Sequence, residues 1–311
     1  MSAIFRKELA DHLASKRFLI LFLLVLLAAM FATYTAIQNI RGVVTPSTEF
    51  IFLRIFTLSG GASLSFLFFL ALFIPIISIA LGFDAVNSER TSGNLSRLLS
   101  QPIYRDSVIN GKFLAGLAIL AMIIVTVIAI VAGLGLRIVG VPPGSDEVLR
   151  LIFFTLISVI YGAFWMALAV LFSVLFKSST TSILASIGLW LFLFVFMGVI
   201  AGAIANTMVP LDQNSTMGVI ANHYEISGAI GRISPATLYG EATSALLTPE
   251  RASFNPALIM MSTYTGRMET PLPFNQSLLL AWPQIVGIIA LAAICFAISY
   301  TRFMREEIRS I

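Results

Sequence analysis

The side chains that ordinarily carry catalysis or hold metals are few and scattered in this chain. Among 311 residues there are two histidines, His12 and His223, and one cysteine, Cys295. A single cysteine excludes internal disulfides and Cys-based metal sites; Cys295 sits in an apolar run and reads as a small hydrophobe. Two histidines so far apart do not build a His-rich metal site. Acid–base or nucleophilic chemistry needs convergent acids, histidines or an activated nucleophile. The chain has no His-Glu-x-x-His, no Gly-x-Ser-x-Gly and no paired aspartates at a membrane face. It also lacks Gly-x-x-x-x-Gly-Lys-Ser/Thr, so it does not bind ATP through that phosphate-cradling loop.

Charged residues gather instead in two short stretches. The first is residues 84–110. Asn94 is placed to cap a short helix in which Leu95, Leu98 and Leu99 share a face. Pro102 ends it, because the residue before a proline avoids helical backbone. Asp106 then opens the next helix, where a carboxylate suits the dipole. The leucines of such a helix need a partner, either the chain's own helix ends or a separate subunit. The second stretch is the N-terminus. Phe5, Leu9 and Leu13 recur every four residues, with Arg6, Lys7 and Glu8 between the first two and Lys7, Asp11 and Ser15 on the opposite face. This reads as an amphipathic helix resting in the membrane interface, apolar side down; Ile4 falls off its stripe.

The elements that position these stretches follow from composition. Apolar residues make up 58% of the chain and charged residues 11%, against about 25% charged in a soluble domain. One compact core does not hide that much apolar surface, so the solvent is a bilayer. Six runs reach the roughly 20 residues needed to span: 18–40, 62–83, 111–139, 151–176, 181–206 and 278–301. Phe18 to Phe31 alone holds eleven Leu, Ile, Val or Phe, which contribute about −5 kcal/mol to insertion. It is too long, and its flank too mixed in charge, for a cleaved signal peptide. The fold class is all-α integral membrane: one six-helix transmembrane domain over 1–311, with an interfacial N-terminal helix. The formal charge of +4 with no basic stripe argues against nucleic-acid partners.

With six spans both termini lie on one side. Lys and Arg near the span ends divide twelve to four in favour of that side, so the termini and residues 84–110 belong in the cytoplasm of a cell-membrane protein. Residues 207–277 then form a large extracytoplasmic loop. Within it Ser234 is placed to cap a helix with Pro235 at its first position, running to Leu247 before Pro249. Leu238, Ala242 and Leu246 give that helix an apolar stripe, as in a lid packed over the outer mouth. Inside the spans, Pro75 marks a kink and Gly198 and Gly202 have the spacing that lets helices approach closely. Trp165 and Trp190 near mid-span read as packing residues. No span carries an ionisable residue in its centre, which counts against an ion-coupled carrier; the missing catalytic motifs count against a membrane enzyme.

The cytoplasmic block resembles the permeases of type-2 ABC transporters. The residues that carry the resemblance are Phe83-Asp84-Ala85-Val86-Asn87-Ser88-Glu89-Arg90, Gly93-Asn94-Leu95, Leu98-Leu99-Ser100-Gln101-Pro102, Arg105 and Gly111-Lys112. They match an acidic–basic pair, a Gly-Thr-Leu, a Leu-Leu-x-x-Pro, an Arg and a Gly-Lys opening the third span, with Asn94 in place of the usual Thr. Phe5-Arg6-Lys7-Glu8-Leu9, the basic Lys16-Arg17 and Ser234-Pro235-Ala236-Thr237-Leu238-Tyr239 match as well. The resemblance implies a coupling helix around Glu89, Arg90, Gly93, Leu95, Leu98 and Leu99, docked on a separate ABC ATPase that holds ATP and Mg. It also implies a second permease copy completing an exporter's path through the lipid, and no cofactor on this chain.

Overall fold

The computed structural model describes residues 2–43, 50–58, 65–91, 104–140, 142–212, 214–250, 253–264 and 271–305. These residues form helices and turns, with no strand among them. Gly93, Leu95, Leu98 and Leu99, and with them the helix expected to begin at Asn94, lie outside the described residues.

Six helical segments are long and apolar enough to cross a bilayer: Phe18–Ala36, Phe66–Thr91, Arg105–Arg137, Ser145–Leu175, Ser179–Met208 and Phe274–Arg305. They coincide with the six expected spans. The first lies in α2 (Lys16–Val43), which follows the N-terminal helix α1 (Ser2–Ala14) after one non-helical residue, Ser15. Ser15 Oγ accepts the Phe18 amide at 3.2 Å and so caps α2. Next come α3 (Ile51–Thr57), α4 (Phe66–Gly82) and the short α5 (Asn87–Thr91). Then follow α6 (Arg105–Val139) and α7 (Ser145–Leu175). Asp106 lies in the first turn of α6, as its position predicts, and Pro75 lies inside α4.

The fourth span, α7, is the post around which the bundle packs. It contacts α4, α6 and the last helix, α13 (Phe274–Arg305). Phe154, Tyr161, Trp165 and Ala169 along it are fully buried. A Cβ at Gly82 would stand 2.9 Å from the Met166 carbonyl and from Ala169 Cβ, so a glycine is what lets α4 lie this close to α7. Trp165 packs edge-on to Tyr161 and Phe164, and Trp190 tilts against Phe194. Both tryptophans serve packing, as expected.

The fifth span is α8 (Ser179–Leu191), a π turn at Phe192–Phe196, and α9 (Met197–Met208). Its outward side chains are large and apolar, with Leu184 65% and Val199 68% exposed. A Cβ added at Gly198 or Gly202 meets nothing within 4 Å among the described residues, so no described side chain packs onto this small-residue pair.

The structure adds detail to residues 207–277. Helices α10 (Met217–Gly231) and α11 (Pro235–Leu247) form a helix-turn-helix hairpin whose arms pack on different neighbours, α10 on α9 and α11 on α7 and α13; α12 (Pro256–Tyr264) follows. His223 Nδ1 of α10 lies 2.8 Å from the Val209 carbonyl at the end of α9. At the hairpin tip Ser234 Oγ donates to the Leu193 carbonyl at 2.8 Å. Leu193 lies midway along the fifth span, within the π turn, where the regular i to i−4 ladder is broken. The hairpin therefore re-enters the bundle rather than lying over it. The helix from Pro235 to Leu247 is present and its stripe of Leu238, Ala242 and Leu246 is buried. Ser234 is not a side-chain cap, because its hydroxyl is spent on Leu193. Tyr239 stacks on Tyr161 at 4.4 Å, and its hydroxyl is 2.9 Å from Ser158 Oγ, both residues of α7.

Between the first two spans lies the buried helix α3, whose Phe52, Leu53, Ile55 and Phe56 enter the core. Arg150 clasps this end of the molecule together. It is fully buried. Its Nε donates to Asp146 at 2.7 Å, Nη1 to the Leu246 carbonyl at 2.9 Å and to Ser277 Oγ at 3.0 Å, and Nη2 to the Leu272 carbonyl at 2.6 Å. One guanidinium thus joins α7 to the end of α11 and the start of α13.

Candidate functional site

At the other end of the bundle, the N-terminal helix, the α4–α5 turn, the start of α6 and the end of α13 converge. Ile4, Val86, Val108, Ile109, Val170, Val174 and Phe303 form one small apolar cluster there. α1 and the end of α13 therefore meet at a single end of the bundle, as an even number of spans requires. Gly111 makes the contact close. A Cβ in its place would lie 3.0 Å from Ile4 Cγ2 and 3.2 Å from Ile4 Cβ, so α1 seats directly on the backbone of α6.

Beside this contact Lys112 is 9% exposed and carries two carboxylates. Its Nζ lies 2.9 Å from Glu8 Oε1 and 2.9 Å from Glu89 Oε1. The three residues come from α1, α5 and α6. One ammonium offers three donors and favours two anions that would otherwise repel each other. Lys7 lies 3.8 Å from the same Glu8 oxygen. Lys112 is about 10 Å in from the start of α6, at 1.5 Å per residue. The 35-residue helix exceeds the roughly 30 Å hydrocarbon core, so a charge there stands at the bilayer's edge.

The segment leading to residues 92–103 is tied down on its other side. The amides of Val86 and Asn87 both donate to Ser173 Oγ, at 3.1 and 3.3 Å. Arg90 Nη1 donates to Asn87 Oδ1 at 3.3 Å and to the Phe176 carbonyl at 3.4 Å. Glu89 thus faces inward to Lys112 while Arg90 faces the end of α7. The adjacent acid and base, singled out as candidates for meeting a partner, are first of all joints within the chain.

On α1 the face turned to the bundle carries Ile4, Glu8 and His12, at four-residue spacing. Ile4, off the expected stripe, is the buried residue; Phe5 and Leu9 are half-buried, and Arg6, Lys7 and Leu13 are exposed. His12 lies one turn beyond Glu8. Burial pushes its pKa below the ordinary histidine value, against the opposite pull of Glu8 and Asp84; Lys112 adds a smaller push downward. His12, Asp84 and Lys112 line a small cavity under α1.

The sequence singled out Glu8, Glu89, Arg90 and Lys112 as separate motif fragments; the structure unites Glu8, Glu89 and Lys112. It also shows two polar centres that sequence reasoning missed, the Arg150 clasp and an ion pair at the hairpin. Arg232 Nε donates to Glu241 at 2.8 Å, and Gln284 Nε2 donates to the same carboxylate at 2.9 Å. The signal for Arg150 was Asp146 four residues earlier on one helix face; no local pattern marks the other.

Over residues 2–308 the chain matches the model of the ABC-2 family transporter proteins. It belongs to that family. A comparison with curated proteins finds no match. The permease fold accounts for the architecture: ABC-2 family members are membrane subunits of transporters, and this chain is a multi-pass ABC transporter permease subunit. Such permeases generally have no ATPase site of their own and pair with an ABC ATPase.

Proposed function

We propose that this permease works with both termini in the cytoplasm of the cell membrane, where residues 84–112 transmit strokes of a separate ABC ATPase to the spans. A second permease copy completes a path for cargo across the bilayer. The observation that carries the coupling role is the tie of Lys112 to Glu8 and Glu89. A push on the segment between the second and third spans is passed at once to the N-terminal helix and to the third span. Arg90 passes it to the end of the fourth. The second copy is supported by the apolar outward face of the fifth span and by the unused Gly198 and Gly202.

The experiment is co-expression with the cognate ATPase, retention of that subunit on the tagged permease, and ATP hydrolysis in liposomes. Leu98→Asp sets an unpaired charge where the coupling role requires an apolar contact, a cost on the order of a few kcal/mol. It leaves the permease inserted but uncouples hydrolysis from it. Glu89→Arg, which sets a second cation beside Lys112, acts on the same tie. If wild-type permease retains no ATPase under any nucleotide condition, or both variants stimulate hydrolysis like wild type, the coupling role is wrong. An ion-coupled carrier is the competing reading. The hairpin does bring Glu241 into the bundle, but that carboxylate is engaged by Arg232 and Gln284. Transport that survives a protonophore and stops without ATP separates the two.

A further inference from the structure

α10 enters the bundle with an unusual free face. Its exposed positions include Gly218, Asn222, Glu225, Ala229 and, just past its end, Arg232, which recur at helical spacing and form one stripe; Met217, Val219 and Tyr224, 37–39% exposed, flank it. Nothing on that stripe is large and apolar. A Cβ at Gly218 meets nothing within 4 Å. The free face of the fifth span, by contrast, is Leu184, Val195 and Val199, all half or more exposed. Two helices that traverse the same depth thus differ in chemistry along the central stripe each leaves free. The depth is fixed by Ser234, bonded to Leu193 midway along the fifth span, and by Tyr239 stacked on Tyr161 midway along the fourth.

Arg232 is 42% exposed at this level, paired with a Glu241 that is 13% exposed. Ile233 beside it is 61% exposed. A guanidinium so placed is costly against hydrocarbon and ordinarily faces a water-filled cavity or protein. A stripe of Asn, Glu and small residues leading to it from the helix's outer end is what water would line.

We propose that a water-filled vestibule, open at the end of the bundle opposite the termini, runs along α10 and ends at the Arg232–Glu241 pair half-way across the membrane. It admits hydrophilic, hydrogen-bonding solutes to the centre of the permease, so that the polar part of a cargo has only half the bilayer to cross before meeting water. That this end faces away from the cytoplasm rests on the orientation proposed above.

The test is thiol accessibility in the assembled transporter in vesicles, starting from Cys295→Ser. Ala229→Cys lies deep on the stripe, Asn222→Cys midway, Ser215→Cys at the outer end, and Val199→Cys on the apolar face of the fifth span. A negatively charged methanethiosulfonate is applied to either side. Thiols react as thiolates, and apolar surroundings suppress ionisation. Ala229→Cys and Asn222→Cys should react from the side that labels Ser215→Cys, at rates within about tenfold of it, and Val199→Cys at least roughly tenfold slower than either. If Ala229→Cys reacts only with a lipophilic maleimide, the stripe faces lipid and the vestibule is refuted. If it reacts with neither while Ser215→Cys is labelled, another chain covers it and the vestibule is refuted too. Labelling of Ser215→Cys only from the cytoplasmic side overturns the orientation, and the comparison of Ala229 with Val199 from that side still decides the vestibule.

Discussion

Replacing Lys112 with methionine tests whether the charge cluster holds the N-terminal helix in place. Methionine keeps the length of the side chain and removes the ammonium that bridges Glu8 and Glu89, each at 2.9 Å. The carboxylates remain largely buried, at 14% and 11% exposure. Removing one partner of a buried pair costs about 3–5 kcal/mol, because the remaining charge is left uncompensated. Here two like charges stay behind, but they lie at the bilayer edge, where α1 can swing out and hydrate Glu8. The lower figure, about 3 kcal/mol, is therefore the expected cost, a shift of roughly a hundredfold in the docked-to-undocked ratio of α1. The readout is a disulfide between Ile4→Cys and Gly111→Cys in a Cys295→Ser background. The Cβ separation of 3.2 Å is slightly inside the usual disulfide range. Cross-linking should fall sharply in Lys112→Met, persist in Lys112→Arg and recover when Glu8→Gln and Glu89→Gln are added, since no unpaired charge then remains. If Lys112→Met cross-links and melts like Lys177→Met, the cluster does not hold α1.

Further outcomes follow from the same geometry. Cysteines at Ser215 or Ser253 should react with an impermeant thiol reagent from outside intact cells, and those at Ser92 or Ser310 only after permeabilisation; the reverse pattern refutes the orientation. Arg150→Leu removes the bonds to Leu246, Leu272 and Ser277 and should cost about 2–4 kcal/mol, seen as a lower melting temperature and faster proteolysis of residues 248–273. An unchanged melt would mean the clasp is replaceable. His12 has its pKa lowered by burial, so the folded protein holds that proton more weakly than the unfolded chain does. Its contribution to α1 docking is full above pH about 6.5 and is lost as pH falls below that value. Ile4–Gly111 cross-linking should weaken in that direction, and His12→Gln should flatten the dependence.

The spans were legible because a bilayer imposes a length and a composition on each helix independently of its neighbours; a window of about 20 residues carries the whole signal. For the same reason the start of α6 at Arg105–Asp106 and the helix from Pro235 to Leu247 could be read locally. The family resemblance rested on the short runs around Glu89-Arg90 and Gly111-Lys112. What only the tertiary structure decided is where the polar side chains meet. Glu8 and Lys112 are 104 positions apart, and the bond between them depends on Gly111 letting Ile4 sit on the backbone of α6. The depth of residues 217–247 was hidden because their mixture of Ser, Thr, Asn and charge reads as loop. Polar helices can enter a bilayer only when other helices or a water-filled cavity keep them from lipid, and that screening is a property of the packed bundle. The sequence of each span shows no charge at its centre, yet the folded chain holds Arg232 and Glu241 at that level, carried in by a hairpin whose tip is pinned to Leu193.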